Sequence, residues 1–416
     1  MEDPREQPWL RRILMYVAHS LILFNFWGIP LAFGPFLEYS FNVRHRNVSL
    51  LQLSSPIALQ ICLIFVAPAP IAALYNKGFS RLPIALASLG TTAVFFLLPK
   101  CQYWWHDLLL QGAVLGMCLG VLGTMSMLLL ASHYRNYIMG VVTFSSIFGF
   151  LGGIIYTLIP FVYFRTFRFK TACYITGGIT SFTLFFATIL VRKSLNPRFQ
   201  ILESGLTKQS FSFWKEKGTL IFMGGYVLIC MAMFTLPTFS ILLATLPKGS
   251  HTWPVHATIS LLSAYAAAIL PAAHAANHKF KYFRFGLLNA FIVAAILGGL
   301  CYPNLAWMPF LGLLYSGLPV YGLCLGVLVT SMGFVTGRFH YLGVGWYVDM
   351  PVRMAGMLAL GGVAGALGII LTAALAEYGG GFEVAFTVMG NAMVVGGSLV
   401  AVARCLRCGW RVFVVI

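Results

Sequence analysis

Two ionisable residues four apart, Asp349 and Arg353, stand at the start of an apolar stretch. At that spacing they share one helix face, one turn apart. Two roles are open to such a pair. It can make and break with its surroundings as a charge switch, or it can anchor the helix by reaching to lipid headgroups. Glu38 and Asp107 lie near the ends of two other apolar stretches and read as solvated carboxylates. His256 and His274 are 18 residues apart on one stretch, about five helical turns, so they face alike from opposite ends. A neutral imidazole passes protons near neutral pH, but at those places the pair reads as polar groups at two interfaces. Catalytic sets are missing from the sequence: it holds no H-E-x-x-H, no G-x-S-x-G, no P-loop and no His-x4-Asp. Cys405 and Cys408 form a lone C-x-x-C, too few ligands for a structural zinc site. No enzyme activity, cofactor or metal is expected.

The elements that must position these groups follow from composition. Of 416 residues, 59% are apolar and only 9% charged, where soluble domains carry about 25% charged. Many separate apolar runs reach the roughly 17–25 residues that cross a bilayer as a helix. The chain is therefore expected to be an all-α integral membrane protein. The net charge of +17 does not argue for nucleic-acid binding, because Lys and Arg sit mostly in short loops, where they set orientation. Twelve spans are expected, near 13–38, 54–75, 82–99, 107–132, 138–162 and 171–191, then 219–246, 254–276, 285–302, 306–333, 350–375 and 383–403. The polar, basic segment 192–218 is the natural linker between an N-terminal unit, 1–191, and a C-terminal unit, 219–416.

With the amino terminus inside, 20 of the 27 Lys and Arg fall on the inner side. That bias puts both termini in the cytosol. It leaves Asn47-Val48-Ser49, an N-glycosylation acceptor, on the outer side. Plasma membrane is the default location. Cys101 and Cys301 occupy equivalent outer loops and are read as unpaired.

The two units repeat one another. Gly116-Met-Cys-Leu-Gly-Val-Leu122 recurs as Gly322-Leu-Cys-Leu-Gly-Val-Leu328, an offset of 206. Leu151-Gly152-Gly153 recurs as Leu360-Gly361-Gly362, offset 209, and Pro70 with Asn76 recurs as Pro271 with Asn277, offset 201. Self-similarity at half the chain length marks an internal duplication. In a membrane protein, duplicated halves suggest a transporter with its site between them. Small residues recur every four positions as Gly112, Gly116 and Gly120 on span 4, Gly149 and Gly153 on span 5, Gly322 and Gly326 on span 10, and Gly361 and Gly365 on span 11. Such stripes let helices approach closely.

Six plus six spans with a long central linker resemble the major facilitator superfamily, and several segments are similar to its monocarboxylate-porter-like branch of fungal type. Phe33-Gly34-Pro35-Phe36-Leu37-Glu38-Tyr39 looks like that branch's F-G-x-F-x-x-Y. Gln60, Gln111-Gly112, Ser126, Ser132-His133-Tyr134 and Gly152-Gly153 with Tyr156 fall where the branch has like residues. Tyr75-Asn76-Lys77-Gly78 resembles F-D-R-G, and Arg353-Met354 with Gly356-Met357 resembles R-M-G-M with Ala355 inserted. The resemblance implies two six-helix bundles that move a small-molecule solute across a lipid bilayer by alternating access.

It also implies that spans 1, 4, 7 and 10 surround a cavity. Candidate cavity residues are then Asn25, Trp27, Thr124, Ser126, Tyr226, Thr235, Tyr315 and Tyr321, with Tyr156 on span 5. An apolar cavity with few hydrogen-bonding groups suits a monocarboxylate-like acid or a mostly apolar secondary metabolite, the latter pointing to efflux. Candidate gating residues are Asn76, Lys77, Arg135, Asp349 and Arg353. Asn76 stands where the superfamily has a carboxylate, and an amide cannot form the ion pair. Span 8 lacks the Asp and Arg of animal carboxylate carriers, so proton coupling, if present, takes another route. A non-transporting receptor or scaffold derived from a carrier is the alternative class.

Overall fold

The computed structural model describes residues 9–134, 138–164, 168–192, 218–245, 286–307, 311–339 and 350–409. Among these the chain is helical throughout, without a strand. Ten helical segments are long and apolar enough to cross a membrane by length and composition. Span 2 adds a segment in two pieces, Leu50–Val66 and Pro68–Asn76. The expected span 8 lies outside the described residues, as do linker residues 193–217, Pro271, Asn277, His256, His274, Arg135 and Asp349.

Burial separates central spans from peripheral ones. Span 1 is 78% buried over its apolar window, whereas spans 3 and 6 are 39% buried. Span 1 touches spans 4, 5 and 6, while spans 3 and 6 pair with each other. Their outward faces carry exposed Leu86, Leu89, Phe182 and Phe185. An apolar side chain is stable there only against lipid, which fixes spans 3 and 6 on the outside of the N-terminal half.

The first helix of each half is broken at matching places. Span 1 runs as Trp9–Phe26, Gly28–Leu31 and Phe33–Tyr39, with a π-helical end at Ser40–Arg44. Span 7 runs as Thr219–Met233 and Thr235–Thr245. The breaks follow Phe26 and Met233, an offset of 207, and each precedes a proline by the same step, Pro30 and Pro237. Proline has no N–H and frees the carbonyl four residues earlier. The carbonyl freed by Pro237 is that of Met233, and the Tyr321 hydroxyl donates to it at 2.9 Å. In span 2, Pro56 frees the Gln52 carbonyl, which accepts from Ser55 Oγ at 2.7 Å.

The glycine stripe of span 4 lies against span 2. A Cβ on Gly112 would stand 3.1 Å from the Pro56 carbonyl, and one on Gly116 would stand 2.9 Å from Gln60 Cα. Gly120 meets Ala67 in the same way, one turn on. Backbones this close leave no room for a side chain, so only glycine permits the approach. In span 5, Gly149 lies against Trp27 and Gly152 against the Phe24 carbonyl, while Gly153 is buried. Gly322 and Gly326 are buried in span 10.

The halves meet along spans 2 and 11 and along spans 1 and 7. Positions for Cβ atoms on Gly362 and Gly365 fall among Ile61, Cys62 and Phe65 of span 2. Gly34 faces Ile241 and the Thr238 carbonyl. Glu377 Oε2 accepts from the Leu51 backbone N–H at 3.1 Å, joining the C-terminal end of span 11 to the N-terminal end of span 2.

Candidate functional site

Four of the candidate cavity residues, Asn25, Tyr156, Thr235 and Tyr321, fall in two polar clusters, one inside each half. In the N-terminal half, the Tyr156 hydroxyl donates to Asn25 Oδ1 at 2.6 Å and lies 3.0 Å from Thr180 Oγ1. Asn25 Nδ2 donates to the Leu21 carbonyl and to Thr183 Oγ1, each at 2.9 Å. Both ends of Asn25 are thus used just before the break in span 1, tying it to spans 5 and 6. Trp27, at the break, packs edge-on against Phe26 and lies 6.0 Å from Phe65, which lies 6.0 Å from Phe234 at the break of span 7. This row of rings joins the two breaks across the molecule.

In the C-terminal half, Tyr302 is the hub. Its hydroxyl donates to the Ala232 carbonyl and lies 2.8 Å from Thr235 Oγ1 and 3.1 Å from the Tyr321 hydroxyl. The Leu236 N–H donates to it at 3.3 Å. Spans 7, 9 and 10 are therefore held together at the break in span 7. Tyr302→Phe is expected to lower thermal stability by about 1–3 kcal/mol, the usual effect of orphaning buried partners. Thr235→Val, which leaves Tyr302 its other partners, should cost less; denaturation of the two variants in detergent checks the order. Tyr226 is fully buried, stacked 6.3 Å from Phe222. Thr124 is half-buried. Tyr315 sits on the helix Leu311–Phe339, its side chain outside the described residues.

Among the gating residues, Lys77 is exposed at the end of span 2. Arg353 lies on the helix Met350–Tyr378 and Asn76 ends the helix Pro68–Asn76; their side chains fall outside the described residues. Asn47 is exposed, and the Ser49 hydroxyl two residues on caps span 2 by accepting from the Gln52 N–H.

Asp107 departs from the sequence reading. It is buried, not solvated. The π-helical end of span 1 carries the Arg44 guanidinium over the N-terminal end of span 4, where Nη1 donates to Asp107 Oδ2 at 3.0 Å. Arg44 also donates to the carbonyls of Leu98 and Cys101 and lies 4.7 Å over the Phe169 ring. His45 Nε2 is 3.3 Å from the same carboxylate oxygen. Four spans thus converge on one charged knot. Glu38 differs: it is partly exposed and accepts from Asn42.

Burial, then the Arg44 charge, pushes the His45 imidazole below its ordinary value of 6.5, against the pull of Asp107. Above 6.5 neither folded nor unfolded chain holds this proton. As pH falls below 6.5 the unfolded chain takes it first, so stability declines toward the lower folded value. His45→Asn is expected to flatten that decline, as melting curves between pH 7 and pH 5 would read.

A cavity of about 20 Å³ lies inside the N-terminal half, bordered by Gln60, Gln111, Tyr156, Thr176 and apolar neighbours. That is room for about one water and far too little for an organic solute. Among the described residues, no three His, Cys, Asp or Glu side chains gather as a metal site.

Sequence reasoning passed over His19. It is buried in span 1, with Nδ1 3.0 Å from Ser126 Oγ on span 4. Its partner is 107 residues away, so nothing local marked it.

Comparison with known proteins agrees with this architecture. No family model matches the chain. An MFS-type transporter of Phoma sp, eupM, is 22% identical over 206 residues, 48% of this chain and 71% of the relative. The nucleoside transporter NupG superposes with a TM-score of 0.70 at 15% identity, over 94% of this chain and 98% of its own. The human organic anion transporter MFSD10 superposes with a TM-score of 0.68 at 15% identity, over 95% of this chain and all of its own. The chain is a multi-pass membrane protein with the fold of these transporters.

Proposed function

We propose that the chain is a secondary transporter of the major facilitator superfamily, moving a small organic solute by alternating access. The observation that carries this is the boundary between its halves. Spans 2 and 11 touch through Gly362 and Gly365, and spans 1 and 7 through Gly34. These contacts are chiefly apolar and free of buried ion pairs among the described residues, so the halves can part without stranding a charge. With the amino terminus in the cytosol, the Leu51–Glu377 and Gly34–Ile241 contacts lie on the outer side. We read the structure as the state closed to the outside.

The units are residues 1–191 and 219–416, joined by a cytosolic linker, 192–218. The F-G-x-F-x-x-Y and G-G-x-x-Y segments favour the monocarboxylate-porter-like branch of fungal type. NupG and MFSD10 are named for nucleosides and organic anions. Here the described candidate residues on spans 1, 4, 7 and 10 are aromatic or neutral, which favours an apolar or weakly acidic metabolite. Thr124 and the ring row Trp27, Phe65 and Phe234 are the groups we place on its path. Plasma membrane is the proposed location.

The test is uptake and efflux of such acids and metabolites by reconstituted vesicles. It is combined with labelling of Thr124→Cys by membrane-impermeant reagents applied from each side. A carrier labels from each side in turn as conditions shift its state. Labelling from one side only, under every condition, would sink the proposal and favour a scaffold.

A further inference from the structure

The small cavity of the N-terminal half has two orphaned polar groups on its walls. Gln60 on span 2 and Thr176 on span 6 both border it, and each is only 1% exposed. Gln60 Nε2 and Thr176 Oγ1 have no hydrogen-bond partner among the described residues. On the same span, the Thr183 hydroxyl donates to the Ile179 carbonyl at 2.9 Å and the Thr188 hydroxyl to the Leu184 carbonyl at 2.7 Å. That back-bond is the local way for a threonine to satisfy itself in an apolar helix. Thr176 does not take it. The Gln60 backbone is held close under Gly116 of span 4, where a Cβ would stand 2.9 Å from Gln60 Cα. Its amide is thus delivered to the cavity from a fixed point. An amide N–H and a hydroxyl left unpaired in such surroundings are costly, and their persistence needs a reason.

The cavity itself supplies one. Its volume of about 20 Å³ exceeds the roughly 10–15 Å³ that a water requires. No charged side chain borders it among the described residues, so an ion there would lack a counter-charge. A purely apolar cavity of this size stays dry, whereas a buried water needs roughly two to four polar partners. Gln111 and Tyr156 border the cavity together with Gln60 and Thr176. Its position matters too. Ala32 and Phe33 are on its wall, so it lies where span 1 breaks between Gly28–Leu31 and Phe33–Tyr39. Thr176 is one turn from Thr180 on the same face of span 6, and Thr180 Oγ1 is 3.0 Å from the Tyr156 hydroxyl. The cavity begins where the Asn25–Tyr156–Thr180 cluster ends.

We propose that this cavity is a binding site for a single water, which accepts from Gln60 Nε2, pairs with the Thr176 hydroxyl and ties span 2 to span 6 beside the break in span 1. A bridging water holds two polar groups nearly as well as a direct hydrogen bond. It extends the N-terminal cluster by one turn. Its role there matches that of the Tyr302 hydroxyl in the C-terminal half, which gives the polar groups beside the break of span 7 a common partner. The site stands whether or not the chain carries a solute.

Nuclear Overhauser spectra of the protein in lipid nanodiscs, with glutamine side-chain amides labelled with nitrogen-15, test this. Gln60→Leu identifies the Gln60 signal by its loss. The expected result is a cross-peak between the Gln60 amide protons and water, with the rotating-frame sign of direct proximity rather than of proton exchange. Stability gives a second reading. Thr176→Val keeps the shape and takes a partner from the water, so it should lower the melting temperature, as should Gln60→Leu. Together they should lower it by less than the sum, because both act on the same water. A site without water behaves in the opposite way, since each substitution then removes an unpaired polar group and the melting temperature rises. If Gln60→Leu does not fold, Gln60→Met supplies the assignment and Thr176→Val the stability reading. A missing water cross-peak, a melting temperature of Thr176→Val that holds or rises, or strictly additive losses overturns the proposal.

Discussion

Asp107→Ala is expected to lower the stability of the protein in detergent by about 3–5 kcal/mol, because it leaves a buried guanidinium without its counter-charge. Arg44 would keep its bonds to the Leu98 and Cys101 carbonyls and its place over Phe169. Neutral carbonyls and a ring face do not replace a carboxylate in a site where both side chains are almost out of solvent. Asp107→Asn should lose less, since an amide oxygen can still accept from Nη1. Removing both charges with Arg44→Met and Asp107→Leu should recover most of the loss, because the desolvation cost of the two ions disappears with them. A double-mutant cycle on denaturation midpoints reads this directly. If the double variant is as unstable as the sum of the singles, the pair is not a coupled unit and the argument fails.

The same knot shows where reading the sequence stops. The apolar spans and the duplication depend on local composition, and they were legible. Whether Asp107 is solvated depends on how far span 1 continues past Tyr39 and which way its last turn points. A π-helical turn at Ser40–Arg44 decides that, and no periodicity announces it. His19 was illegible for a related reason, since its partner, Ser126, lies on another span. The matched prolines are a different case. Pro30 and Pro237 were in plain view at an offset of 207, in step with the other repeats. They gained meaning only when both helices broke four residues earlier and the freed Met233 carbonyl was seen to accept from Tyr321. Asn25 and Tyr156, drawn as cavity residues by family resemblance, spend their hydrogen bonds inside one half. A type and a span cannot tell which face of a helix looks toward the path.

Gly362→Val is expected to disfavour the arrangement seen here without unfolding the chain. A Cβ at this position would lie 2.6 Å from Phe65 Cβ and 3.2 Å from the Cys62 carbonyl, across the boundary between the halves. Valine adds two methyl groups beyond that, and overpacking of this kind costs about 1–3 kcal/mol. Because the strain exists only while spans 2 and 11 are pressed together, it is relieved when the halves part. The equilibrium between facing states should move by roughly five- to 150-fold toward the one in which they do. Gly116→Ala is the control. Its Cβ would also be crowded, 2.9 Å from Gln60 Cα, but spans 4 and 2 belong to the same half and stay packed in both states. It should therefore cost stability and leave sidedness alone. Labelling of Thr124→Cys from each side, in each background, separates the two effects. Should Gly362→Val lower the melting temperature as Gly116→Ala does and leave labelling unchanged, spans 2 and 11 do not part, and the solute must cross elsewhere.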